Sequence, residues 1–161
     1  MSTKCNRRVT ESDKKNTVVL MWNPAISSVK EKDYREWFEG IGTFNEKLFN
    51  WSIHDHAESG FGDRFVLIRV GEGSTGLMMD GMIISDCRKG KDWSGRGREV
   101  FYADLIPMKA FNPENGAEFP TTDMLAQAVP DFNWSGGHSG QILTPEQAEA
   151  LDVFLKEYYK K

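Results

Sequence analysis

The order of apolar runs and helix caps predicts an α+β fold on a curved, mainly antiparallel sheet. Three observations carry this. Gly62–Asp86 reads as two strands, Arg64–Val70 and Leu77–Ser85, joined by a glycine-rich turn. Thr17–Asn23 is a short, β-rich apolar run halted by Pro24. Cap residues and apolar spacings of three and four place helices at Val29–Gly40, at Asp123–Val129 and after Thr144. The resulting order is β-α-β-β-β-α-α with long loops.

Residues 1–16 show no periodicity and are expected to form a disordered basic tail, ahead of a single domain over residues 17–161. Ser27 or Ser28 caps the first helix, in which Tyr34, Trp37, Phe38 and Ile41 form one apolar face and which Gly40 and Gly42 stop. Thr43–Ile53 fits neither period and reads as a loop or short strand ending in a turn at Asn50-Trp51-Ser52. His54–Phe61 is a short helix or turn, ended by Gly60 and Gly62. Inside the hairpin, Gly71 to Gly76 spells G-x-G-x-x-G, the dinucleotide fingerprint. That motif needs a helix to follow, because the pyrophosphate sits on a helix N-terminus. Leu77–Ile84 contains Gly81 and is poor helix and acceptable strand, so the hairpin reading prevails.

After residues 88–98, Glu99–Ile106 is a strand cut short by Pro107, with Met108–Phe111 as a candidate continuation. Asn112–Pro120 is loop, Thr121 or Thr122 caps the second helix, and Pro130 ends it. Asp131–Gly140 is rich in glycine and precedes Gln141-Ile142-Leu143. Thr144 at N-cap, Pro145 at N1 and Gln147 at N3 open the last helix. Ala148, Leu151, Phe154, Leu155 and Tyr158 supply its buried stripe.

Composition excludes several functions. No apolar run approaches the roughly 18 residues of a membrane span, and residues 1–16 lack the apolar segment of a secretory signal. With only Cys5 and Cys87, and Cys5 in the tail, a structural disulfide is not expected and the reducing cytoplasm is the expected compartment. The net charge of −4 divides into +3 over residues 1–15 and −7 over residues 16–161. A body this acidic argues against strong sequence-independent nucleic-acid binding, which runs on phosphate neutralisation. The local exception is residues 88–98, where Arg88, Lys89, Lys91, Arg96 and Arg98 face the single acid Asp92.

Signatures of catalysis are weak. His54 and His56 are two apart with Asp55 between, and would share an ion only if both lay on a strand; on a turn they diverge. Neither cysteine has a partner at ligand spacing, so no metal and no cofactor is expected. Ser135 and Ser139 flank His138, yet G-x-S-x-G and its strand–elbow–helix context are absent. Asp80 and Asp104 lie in apolar runs, where an outward-facing strand carboxylate is the common explanation. The tryptophans are more informative. Of five, Trp22, Trp51, Trp93 and Trp134 sit beside Asn, Ser, Gly or Asp rather than among apolar neighbours. Such an indole either lids a sheet end or walls a pocket, stacking on a planar ligand whose edge nearby Asn, Ser and backbone groups read. With the basic loop carrying its own Trp93, the pattern points to a base-stacking site beside a phosphate-contacting rim.

Asn50-Trp51-Ser52-Ile53 followed by Gly62-Asp63-Arg64-Phe65-Val66-Leu67-Ile68-Arg69 resembles EVE-like domains of the PUA-like superfamily. The likeness continues through Gly76-Leu77-Met78, Gly81–Ser85, Asp92-Trp93 and Trp134-Ser135 to Ser139-Gly140, and spans residues 18–157. It is nearest to the variety found at the N-terminus of some HNH endonucleases and in stand-alone bacterial proteins. The resemblance implies a distorted, mainly antiparallel β-barrel with surrounding helices, and a cleft that accepts a flipped or unpaired, often modified, nucleobase. Carried over residue by residue, Trp22 and Asn23 belong to the first-strand wall and Asn50, Trp51 and Ser52 to the floor. Trp134, His138 and Ser139 belong to the closing segment.

The expected function is therefore a non-catalytic module that recognises a nucleobase. Trp22, Trp51 and Trp134 would stack, and Asn50, Ser52 and Ser139 would hydrogen-bond. Arg88, Lys89, Lys91, Arg96 and Arg98 would meet phosphates. The expected partners are DNA, RNA or a nucleotide, with no membrane and with a separate nuclease as an implied companion. Two rivals remain: a small hydrolase or transferase pairing His138 with Asp104 or His54, and a protein-interaction domain whose Trp-rich loops are the interface.

Overall fold

Along Thr17–Trp22 (β1), Val18 and Leu20 point to one side and Val19 and Met21 to the other, and both sides are packed. A strand covered on both faces has no polar face to offer water, which is why the run is continuously apolar. The computed structural model describes residues 15–43, 48–112 and 118–160. After β1 come α1 (Glu31–Gly40), β2 (Phe49–Ser52), β3 (Arg64–Arg69), β4 (Gly76–Ile83), β5 (Arg88–Gly90) and β6 (Val100–Ala110). α2 (Thr122–Ala128), β7 (Gln141–Ile142) and α3 (Pro145–Tyr159) complete the chain. β3 is two-faced like β1, with Phe65 and Leu67 on the first side and Val66 and Ile68 on the second. The two strands pair in parallel, from Thr17 opposite Arg64 to Trp22 opposite Arg69.

All other pairings are antiparallel, in the order β2-β6-β4-β3-β1-β7. Tyr102 of β6 pairs with Ser52 on one edge and Arg88 on the other, so β5 and β4 follow one another along the edge opposite β2. The sheet curls into a half-barrel whose ladder does not close. The expected mainly antiparallel, barrel-like sheet is thus present with one parallel pair, and the correction is that the barrel stays open. Its two ends nevertheless meet at a corner. Just past β2, His54 N donates to Ser139 O (3.0 Å) and Asp55 N to Gly140 O (2.9 Å). Gly140 N in turn donates to Val19 O (2.7 Å), and Asp55 Oδ2 accepts from Ile142 N (2.9 Å).

Two cores follow from the two faces. The first holds Leu20, Trp22, Phe65, Leu67, Trp51 and Leu105 under α1. There Tyr34 is fully buried, its hydroxyl within 2.7 Å of the Met78 and Phe111 carbonyls, and burial pushes its phenol well above the ordinary range. Trp37 stacks on Phe49 at 4.0 Å. The second core packs Val19, Val66, Ile68 and Leu77 against Leu125 of α2 and Leu151 and Leu155 of α3. Among described residues no helix is long and apolar enough to cross a membrane.

Local differences from the sequence expectations have physical reasons. α1 starts at Glu31, two residues later than expected, because Asp33 accepts from Lys30 N while Ser27 Oγ serves the Val29 amide of the preceding turn. Asn50-Trp51-Ser52 is strand rather than turn, paired with Asp104, Ala103 and Tyr102. β6 runs through Pro107, which sits opposite Gly81 at a register shift, where a ladder donor is dispensable. Asn16, assigned to the tail, extends β1: Arg64 N donates to its carbonyl and its own amide to Asp63. Residues 1–14 of the expected tail, Cys5 included, lie outside the described residues. Thr144 and Gln147 form the reciprocal cap expected of α3.

The corner makes one position critical. Gly140 has φ +92°, and a Cβ there would lie 2.5 Å from His54 N and Ile53 Cα. Gly140→Ala is expected to cost about 2 kcal/mol or more in urea unfolding, whereas Gly136→Ala, with nothing within 4 Å, stays within about 0.5 kcal/mol.

Candidate functional site

The corner, the loop 23–29, the start of β6 and the loop 91–98 enclose a cleft of about 1100 Å³. Its best-defined ring is Trp51, which β2 turns toward the first core. It is 8% exposed and meets Phe49 edge-on at 6.2 Å. Its indole Nε1–H donates to Ser139 Oγ at 3.0 Å, and the same oxygen accepts from Met21 N at 2.9 Å. A hydroxyl that accepts twice keeps its own proton to donate. Among the described residues no acceptor takes that proton, and Ser139 lines the cleft.

A second ring, Trp93, is held by an acid. Asp92 heads the sequence Asp-Trp-Ser-Gly, the chemistry of a side-chain-closed turn. Its buried carboxylate accepts from Ser94 N and Oγ, from Arg96 N, and from Arg98 N, Nε and Nη2. The Arg98 side chain is the largest of the causes that hold this carboxyl well below the usual carboxylate range. Tyr102 fastens the loop to β6 by donating to Lys91 O (2.6 Å) and accepting from Trp93 N (3.1 Å). The Trp93 ring, 47% exposed and lining the cleft, lies under the Arg98 guanidinium at 5.8 Å.

The histidines line another wall. His54 stacks on His138 at 4.0 Å with the planes 15° apart, and His54 Nδ1 is 3.0 Å from Asp55 Oδ1. His56 turns away to stack on Phe101 at 3.7 Å. Parallel imidazoles present faces rather than nitrogens to each other, so the His54–His138 pair is not aligned for proton transfer. Asp104 lies outside the cleft lining, where it takes Arg88 Nη2 at 2.7 Å.

Of the residues singled out in the sequence, Asn23, Asn50, Trp51, Ser52, His138 and Ser139 come together in this cleft. Trp22 and Trp134 do not. Trp22 is 1% exposed in the first core, stacked on Tyr34, with Nε1 donating to Val29 O. Trp134 is 2% exposed in the second core, with Nε1 donating to Val129 O. Each indole has its polar atom satisfied by a turn carbonyl, so small polar neighbours marked the turn rather than a pocket. Trp22 still serves the site indirectly, because Val29 belongs to the loop 23–29. Trp93, rather than Trp22 or Trp134, is the second indole at the cleft surface. Its signal in the sequence was the acid that leads its loop.

The expected phosphate contacts are also redistributed. Arg88, Lys89, Lys91 and Arg98 line the cleft and Arg96 does not. Arg88 is paired with Asp104, Lys89 with Glu99 (3.3 Å) and Arg98 with Asp92 (3.2 Å). Among the described residues, Lys91 and Arg96 have no carboxylate partner.

Because the folded Asp92 value is depressed, the clamp is present above the unfolded carboxylate value near pH 4. It is lost only as pH falls through the lower folded value. The Trp93 indole resonance is accordingly expected to stay in place from pH 7 down to about 4. Asp92→Asn at neutral pH should speed amide exchange at Ser94, Arg96 and Arg98 about tenfold or more. Unchanged exchange in this variant would remove Asp92 as the anchor of the loop.

No family model and no curated protein matches the chain. Solved structures do. A hypothetical protein from Leishmania major superposes with a TM-score of 0.61 at 9% identity, over 91% of this chain and 99% of that one. The Mmi1 YTH domain superposes with a TM-score of 0.51 at 8% identity, over 92% of this chain and 79% of that one. At such identities the likeness is one of fold: the chain has an architecture similar to that of the Mmi1 YTH domain.

Proposed function

We propose that this cleft binds one nucleobase, modified or unmodified, of a nucleic acid or nucleotide, and that it does so without catalysis. The observation that carries the reading is that Trp51 and Trp93, delivered by different elements, line one cleft with Asn23, Asn50 and Ser52. Both rings are held before any ligand arrives, Trp51 by Ser139 and Trp93 by Asp92, Arg98 and Tyr102. Pre-set rings reduce the ordering cost of binding. In this reading the two indoles stack on the base, Asn23, Asn50, Ser52 and the Ser139 hydroxyl read its edge, and Lys91 meets a phosphate. The same proposal includes membership among EVE-like domains of the PUA-like superfamily, supported by the Asn-Trp-Ser and hairpin motifs and by the curled half-barrel fold.

Short DNA and RNA oligonucleotides, methylated and unmodified, and free nucleotides are the probes, with tryptophan fluorescence as readout. Quenching is expected at low salt for at least one. Trp51→Ala or Trp93→Ala should then weaken binding by about 1–3 kcal/mol, roughly five- to 150-fold in Kd. Trp134→Phe, a change in the second core, should leave Kd within about twofold. Absence of quenching by every probe overturns the proposal.

A further inference from the structure

We infer that the cleft grips its ligand through one base and no more than two phosphates, and does not track along a polynucleotide. The inference rests on the base-binding reading above and specifies its ligand: a nucleotide, or a single unpaired residue with its immediate phosphates.

Charge geometry is the ground for it. Five cations within eleven residues look like a phosphate rim, but three of them arrive with their counter-charges attached. Arg98 and Asp92 form one pair, Lys89 and Glu99 another, and Arg88 and Asp104 a third. Asp92 and Glu99 themselves line the cleft. Exposed pairs are weak and a phosphate can displace a carboxylate from its cation. The displaced carboxylate nevertheless stays beside the incoming phosphate, so the exchange gains little net charge. What remains without a counter-ion among the described residues is Lys91 and Arg96.

The segment that lines the cleft ahead of α1 offers little compensation. It is the turn Ile26-Ser27-Ser28-Val29, which has no charged side chain and presents Ile26 71% exposed beside the cleft. The cation that follows the turn, Lys30, is folded back onto Pro24 O at 3.1 Å, so a strand crossing here would meet an apolar residue and an ammonium already engaged by a carbonyl. Counterion release then scales with at most two phosphates, giving a slope of log K against log salt of about −1.4 or shallower for a single strand.

The test measures affinity by tryptophan quenching between 50 and 500 mM NaCl (roughly the range in which such slopes are resolved). The probes are pentanucleotides of DNA and RNA centred on adenine, N6-methyladenine or 5-methylcytosine, together with the matching 5′-monophosphates. Residues 1–15 are a second source of positive charge, so the full chain is measured beside its K4Q/R7Q/R8Q variant. In that variant a slope no steeper than about −1.4 is expected, with the monophosphate bound within about tenfold of the pentanucleotide. K91A/R96A should flatten the slope further. A slope steeper than about −2 that persists in K4Q/R7Q/R8Q overturns the inference while leaving base binding intact. Absence of quenching by every probe instead overturns the base-binding reading itself.

Discussion

Ser139 and Gly140 are the two residues on which the architecture turns. Between them they accept from Met21 N, Trp51 Nε1, His54 N and Asp55 N, and Gly140 N donates to Val19. These bonds tie β1, the exit of β2 and the approach to β7 at a point where the sheet ladder does not close. The arrangement demands a backbone without a side chain at Gly140 and a short hydroxyl at Ser139. A longer residue at the first would strike Ile53 and His54 just past β2, and an apolar one at the second would leave two donors unmet in a partly buried place. The same hydroxyl that ties the corner also fixes the ring of Trp51. Fold closure and cleft geometry therefore share one atom.

That corner matters because the sheet is packed on both sides. β1 and β3 send alternate residues into two separate cores, so a slip of one residue in their pairing would exchange the contents of those cores. Trp22 and Phe65 would be driven toward α3, and small spaces between α2 and the sheet would be asked to take large rings. Parallel pairing of two-faced strands is ordinarily secured by long crossover connections. Here the register is secured from the far edge as well, through Gly140 to Val19 and Leu143 to Thr17. A cleft lying against the end of β1 inherits this rigidity.

Much of the fold was legible in the sequence because its signals are local. The hairpin strands, the cap of α3 and the apolar stripe of α1 depend on neighbours within a few residues. The open sheet, the strand at Asn50-Trp51-Ser52 and the passage of β6 through Pro107 depend on partners far away. Trp51 takes its hydrogen-bond acceptor from 88 residues onward, which no period of two or 3.6 reports. The candidate site was legible in the same uneven way. Asn23, Asn50, Ser52, His138 and Ser139 do converge, while Trp22 and Trp134 do not. An indole next to Asn, Ser or Gly announces a turn, and a turn supplies carbonyls that can satisfy a buried N–H as readily as it can expose a ring.

The basic loop shows a further reason why sequence overstates a site. Counted along the chain, residues 88–98 hold five cations and one acid, and the balance suggests an electrostatic surface. Folding brings Asp104 and Glu99 to the same place and buries Asp92 beneath the loop. Most of the positive charge is then spent on shaping the segment that carries Trp93. Arg98 illustrates the trade: its guanidinium neutralises Asp92 while covering the indole. A cation that is geometrically committed on two sides can still add to the local potential, but it cannot reorient to follow a phosphate without releasing the ring. The cations of this loop therefore act first on its own conformation, and only Lys91 and Arg96 among them lack a carboxylate partner among the described residues.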